Sequence, residues 1–122
     1  MSKNVLKDKS LAFALRIVKA YRYLVQEKQE YVLSKQLLRC GTAIGALVRE
    51  AEYAQSIPDF INKMSIALKE TNETEYWLII LKESEFIEND VYMSIVSECQ
   101  ELLRLLISSI NTSKNKLEKR NK

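Results

Sequence analysis

The side chains of this sequence that could do chemistry are few, and most are carboxylates. Glu70, Glu73 and Glu75 fall within about a turn and a half of one another, and two thiols stand at Cys40 and Cys99. The 122 residues include no histidine. That removes a histidine general base, a Ser-His-Asp triad, a Cys-His dyad and the Glu-x-x-His motif of di-iron bundles. Glu70 and Glu73, at i and i+3, share a helix face and could hold a cation only without any nitrogen ligand. Lys63 and Lys69 lie close by, which makes ion pairing their simpler use. The cysteines sit inside helical patterns with no framework spacing, as small apolar fillers in a reducing compartment do. The chemistry therefore points to no catalytic residue, no metal and no cofactor: this is not expected to be an enzyme.

The other chemical resource is positive charge. Net charge is only +3, but residues 1–28 carry seven Lys or Arg against two acids, residues 111–122 five against one, and residues 29–110 seven against thirteen. Basic ends flank an acidic middle. Within the first segment Arg16, Lys19 and Arg22 recur on one face with Tyr23 among them, and no acid lies between Lys9 and Gln26. Lysines and arginines gathered this way release counterions from a phosphate backbone. The competing reading is a merely solvated face.

The elements that must position these groups are helices. Two glycines and one proline are too few turn formers for many short strands. The apolar periodicity predicts four helices, over about 9–27, 32–54, 57–84 and 88–114, in one domain spanning residues 1–122, preceded by a fraying basic lead and followed by a basic tail disordered beyond about Lys116. Short connections predict an all-α, antiparallel up-down-up-down four-helix bundle. That topology would bring the basic start and the basic end of the chain to one pole. The longest apolar run, Tyr76 to Leu81, is far short of the roughly 20 residues of a membrane span, and the start lacks the apolar core of a signal peptide, so the expected location is cytoplasmic.

Within the third helix, Phe60, Ile61, Met64, Ala67, Leu68, Thr71, Leu78 and Ile79 are expected in the core, with Glu75 among them. A carboxylate there needs a partner, and Arg49 or Arg39 on the preceding helix are the candidates for a buried ion pair. Ser56 is expected as N-cap, with Pro58 in the first turn and Asp59 returning the capping bond. Two further surfaces exceed what one core stripe requires. Gly41 and Gly45, beside Leu38, each cost about 1 kcal/mol of helix propensity relative to Ala, and the compensating reason is close approach of another backbone, from the same chain or from another copy. Ile66, Trp77, Ile80 and Leu81 form a second apolar patch. Leu38, Gly41, Gly45, Ile66, Trp77, Ile80 and Leu81 are thus the expected interface between copies.

The stretch SKQLLRCGTAIGALVREAEYAQSIPDFINKMSIALKETNETEYWLIILKES resembles bacterial four-helix-bundle proteins encoded within intervening sequences of 23S ribosomal RNA genes, and the related accessory variability proteins of diversity-generating retroelements. The similarity covers about residues 8–110. It is densest in QLLR at Gln36 to Arg39, GTAIGA at Gly41 to Ala46, REAE at Arg49 to Glu52, the segment Asp59 to Lys63, and IALKE and ETEYWL around Glu70 and Trp77. The resemblance implies a soluble homo-oligomer with the look of a ring-shaped pentamer. It also implies that basic surfaces meet nucleic acid or a reverse transcriptase, as in the retroelement relatives. The combined expectation is a non-enzymatic homo-oligomeric bundle that binds RNA or DNA backbone through Arg16, Lys19, Arg22, Lys114, Lys116, Lys119 and Arg120. The alternative is an oligomeric protein-interaction scaffold with no nucleic-acid role, for example an accessory to a reverse transcriptase.

Overall fold

A computed structural model describes residues 2–121, with side chains from Val5 onward; Met1 and Lys122 lie outside it. Among the described residues every regular element is helical: α1 (Ser2–Gln26), α2 (Leu33–Glu52), α3 (Ile57–Glu83) and α4 (Asn89–Arg120). The helices pack as a four-helix bundle in which α2 lies along α1 and α3, and α3 along α4, while α1 and α4 meet only lightly. Contacts between consecutive helices pair early residues of one with late residues of the next: Ser10 with Gly45, Ile17 with Gly41, Lys63 with Glu50, Arg39 with Glu70, and Cys99 with Thr71.

The core is one cluster with contributions from every helix, including Phe13, Ile17, Leu37, Ile44, Leu78 and Leu106, all essentially solvent-free. The glycine pair belongs to it. A Cβ on Gly41 would stand 2.8 Å from Ile17 Cγ1, and one on Gly45 would stand 3.3 Å from the Ser10 carbonyl oxygen. The backbone that approaches α2 here is α1 of the same chain, which corrects the expectation that Gly41 and Gly45 meet another copy. Their missing side chains let α1 settle deep against α2.

Two helix limits and one buried face differ from the periodic pattern. Where a fraying lead is expected, α1 is already helical, because Leu6 reaches the core cluster and Lys7 Nζ pairs with Glu52 at 3.1 Å. Where a disordered tail is expected, α4 continues to Arg120. No glycine or proline interrupts residues 89–120, the last turns are rich in good helix formers, and Lys119 and Arg120 suit the negative end of the helix dipole. On α3 the buried residues are Met64, Ala67, Thr71, Thr74, Leu78 and Leu81. They advance in alternating steps of three and four, so the seam takes Leu81, expected outside, and leaves Ile79, expected inside, 41 % exposed. Thr71 and Thr74 tolerate burial because their hydroxyls donate to the Ala67 and Glu70 carbonyls, at 2.8 and 2.7 Å.

Capping explains the two turns best described. Ser56 caps α3, its Oγ accepting from the Asp59 amide at 3.1 Å, while Asp59 accepts in return from the Gln55 amide, also at 3.1 Å. The start of α2 holds the carboxylate that sequence reasoning misplaced. Glu75 is not paired with Arg49: it turns toward α4 and accepts from Gln100 at 3.0 Å, and Arg49 is exposed. The buried carboxylate is Glu30, 9 % exposed. Its oxygens accept from the amides of Val32, Leu33 and Ser34 at 3.1, 2.9 and 2.6 Å, three of the donors a helix start leaves orphaned. Gln29, at φ 53°, turns the chain so that Glu30 can reach them.

Two stability outcomes follow. Gly41→Ala forces its Cβ into the branched, buried Ile17 side chain, and the overpacking, about 1–3 kcal/mol, outweighs the roughly 1 kcal/mol gained in helix propensity. A lower thermal midpoint is expected, whereas Gly45→Ala, facing the looser Ser10 contact, is expected to be near neutral. Glu30→Ala is expected to cost about 1–2 kcal/mol in denaturant unfolding at neutral pH. Burial alone would raise the Glu30 pKa, but the three backbone donors outweigh it and hold the group below its ordinary 4.5. A carboxyl depressed in the folded state contributes stability above the unfolded value and loses it as pH falls through the folded one. The gap between wild type and variant should therefore close in acid, below pH 4.5.

Candidate nucleic-acid interface

The basic face of α1 is largely answered within the chain. Lys9 Nζ pairs with Glu101 at 3.1 Å; Arg16 pairs with Glu98 at 2.6 Å and donates to Ser94 Oγ at 2.8 Å. Together with Lys7–Glu52, these pairs tie α1 to α2 and α4. Half-exposed pairs of this kind contribute about 0–1 kcal/mol each, but they occupy the guanidinium and ammonium groups. Arg16, expected at a phosphate, is thus committed to α4. Lys19 and Arg22 are exposed and enter none of the ion pairs among the described residues.

The two ends of the chain do lie together, but the cations expected to meet phosphate do not all gather there. Lys116 and Arg120 border a cleft of about 860 Å³ whose floor includes Leu6, Ala51, Phe60 and Met64, so the end of α4 lies beside the start of α1. Lys19 and Arg22 lie more than three turns further along α1, about 18–22 Å from Lys7 at 1.5 Å per residue. Of the seven cations expected to meet phosphate, the six that stay outside the ion pairs therefore form two regions. One is the end of α4, where Lys114, Lys116, Lys119 and Arg120 are all exposed on an unbroken helix. The other is the far half of α1. Beside the second region the loosely packed α1–α4 seam opens into a groove of about 250 Å³, with Ala20, Ile87 and Ile95 lining it and Lys19, Tyr23 and Val91 at its margins.

The acidic cluster of α3 is engaged by its neighbours, and the two thiols are buried. Arg39 bridges Glu70, at 3.2 Å, and Glu73. The Trp77 indole donates to Glu73 at 3.1 Å and, with Arg39, holds that carboxyl below its usual range. Among the described residues no group of three or more His, Cys, Asp or Glu is arranged to hold a metal. Cys40 and Cys99 are free and fully buried. Burial pushes Cys40 up and Cys99 up to about 12, far from a reactive thiolate.

The expected interface between copies separates in the same way. Leu81 is core and Leu38 packs against the core beside the two buried glycines. Ile66, Trp77 and Ile80 stay at least partly exposed, and Tyr76 and Ile79 join them at 55 and 41 % exposure, with the Tyr76 and Trp77 rings edge to face at 5.2 Å. The signal for the added pair was the apolar run 76–81 itself, since six consecutive apolar residues on one helix cannot all face one core.

Comparison with known proteins places this architecture. A family model, 23S rRNA-intervening sequence protein, matches residues 2–108. The chain belongs to that family. The glycine pair, the capped α3 and the 76–81 run all fall inside the matched residues, whereas Lys114 to Arg120 fall beyond them. Among solved structures, the chain is similar to a protein of unknown function from the S23 ribosomal protein family of Bacteroides thetaiotaomicron. The two share 58 % identity over 91 % of this chain and 99 % of that one, with a TM-score of 0.90. No curated protein matches. Among the described residues no helix is long and apolar enough to cross a membrane.

Proposed function

We propose that this family member is a non-enzymatic protein that binds the phosphate backbone of RNA or DNA, and that it does so as a homo-oligomer. The observation that carries the reading is the end of α4: four exposed cations, Lys114, Lys116, Lys119 and Arg120, on a continuous helix whose only acid there is Glu118. A helix holds these charges at fixed spacing instead of leaving them on a flexible tail, so a polyanion meets them without first ordering them. Lys19 and Arg22 add a second contact region, and Arg16 drops out because Glu98 holds it. The family's name, which refers to 23S rRNA intervening sequences, is compatible with an RNA partner.

The assembly reading rests on Ile66, Tyr76, Trp77, Ile79 and Ile80, large apolar side chains of α3 left exposed or half-exposed outside its buried seam. It supports copies meeting along α3, with a ring-shaped pentamer as the form the family resemblance implies. The same surface supports the scaffold alternative, in which a partner such as a reverse transcriptase docks there and nucleic acid plays no part.

Replacing Lys114, Lys116, Lys119 and Arg120 together by Gln is expected to weaken oligonucleotide binding at low salt at least tenfold. It should also flatten the dependence of log K on log salt by roughly 3 to 4, close to one unit per lost phosphate contact. Absence of low-salt binding by the wild-type protein, or an unchanged slope in the variant, would leave the scaffold reading. Light scattering on the wild-type protein is expected to give a multiple of the subunit mass, and Ile79→Glu to reduce it while helical circular dichroism is unchanged. A wild-type monomer at micromolar concentration contradicts the assembly.

A further inference from the structure

We propose that the groove on the α1–α4 seam receives an unstacked base, so that the protein prefers single-stranded nucleic acid to duplex. This rests on the backbone-binding reading above and adds the form of the ligand.

The groove joins three features. Its lining is apolar, with Ala20, Ile87 and Ile95 beneath it. One margin carries Tyr23, 42 % exposed, whose ring is open to a partner. On the same helix Lys19 and Arg22 stand exposed, outside every ion pair among the described residues. At about 250 Å³ the space falls below the roughly 300–1,000 Å³ of a drug-sized pocket and suits one ring system.

Charge sets the direction. Glu88 borders the groove from the α4 side, and Arg16, also at its edge, is tied to Glu98 and Ser94. The net positive margin is therefore the α1 side, where Lys19 and Arg22 would take the phosphates flanking the inserted base. An aromatic face beside free cations is the arrangement by which single strands are held without sequence readout. A base still stacked in a duplex cannot enter such a groove without first being unpaired and extruded.

The test compares an oligothymidylate about twelve nucleotides long, a length within the range one site occupies, with a blunt duplex of the same length. Both are titrated into the full chain at low salt and followed by fluorescence anisotropy. Wild type is expected to bind the single strand more tightly. Tyr23→Ala should weaken single-strand binding by about 5- to 150-fold, the range carried by one base stacked on an aromatic ring, and leave duplex binding unchanged. Tyr23→Phe, which keeps the ring, should behave as wild type, and equal thermal midpoints for the three proteins confirm that the fold is intact. Wild-type binding of both ligands without preference, or equal loss of both in Tyr23→Ala, overturns the groove's role and leaves the backbone reading standing. Binding of neither ligand by the wild-type protein removes both.

Discussion

The approach of α1 to α2 at Gly41 and Gly45 conditions most of what the rest of the structure does. With no Cβ at either position, Ile17 and the Ser10 carbonyl move to within contact of the α2 backbone, and α1 is drawn toward one neighbour at the expense of the other. On its far side α1 meets α4 through long charged side chains, Lys9 to Glu101 and Arg16 to Glu98, more than through interdigitated apolar ones. The seam left between them holds the groove beside Tyr23. A structural device of the core thus determines where the surface opens.

The same geometry redistributes charge. Along the sequence the positive residues look like two blocks at the ends of the chain. In space Glu52 of α2 and Glu98 and Glu101 of α4 pair with Lys7, Arg16 and Lys9 of α1, so of the cations in those two blocks the ones left unpaired include Lys19 and Arg22 on the far half of α1 and Lys114 to Arg120 at the end of α4. Arg39 likewise absorbs Glu70 and Glu73, which turns a cluster with some resemblance to a metal site into an interhelical bridge. The buried carboxylate is better explained by backbone than by side chains, since Glu30 meets three amide donors already oriented by the start of α2.

Helix α3 shows where pattern reading reached its limit. Its N-terminus was legible in detail, because Ser56, Pro58 and Asp59 act through local bonds that a few residues specify. Its inward face was not. Thr74 is buried and Ile79 exposed because the neighbours impose alternating steps of three and four and because a threonine hydroxyl can return its hydrogen bond to its own helix. Hydrophobicity alone ranks those two residues the other way. The outer apolar patch was half legible for the same reason: Trp77 and Ile80 lie partly exposed outside the buried seam, while Leu81 and Ile79 exchanged roles.

Helix number and approximate length, the absence of histidine chemistry, the capped start of α3 and the need for a close neighbour at the glycine pair were all determined by sequence, since each depends on residue type and short-range spacing. The identity of that neighbour, the acids that silence Arg16, the carboxylate buried at Glu30 and the distance between the cations of α1 and those at the end of α4 were decided only by tertiary structure. Each of these is a relation between residues far apart in the chain, and such a relation exists only once the helices have chosen which faces to bury.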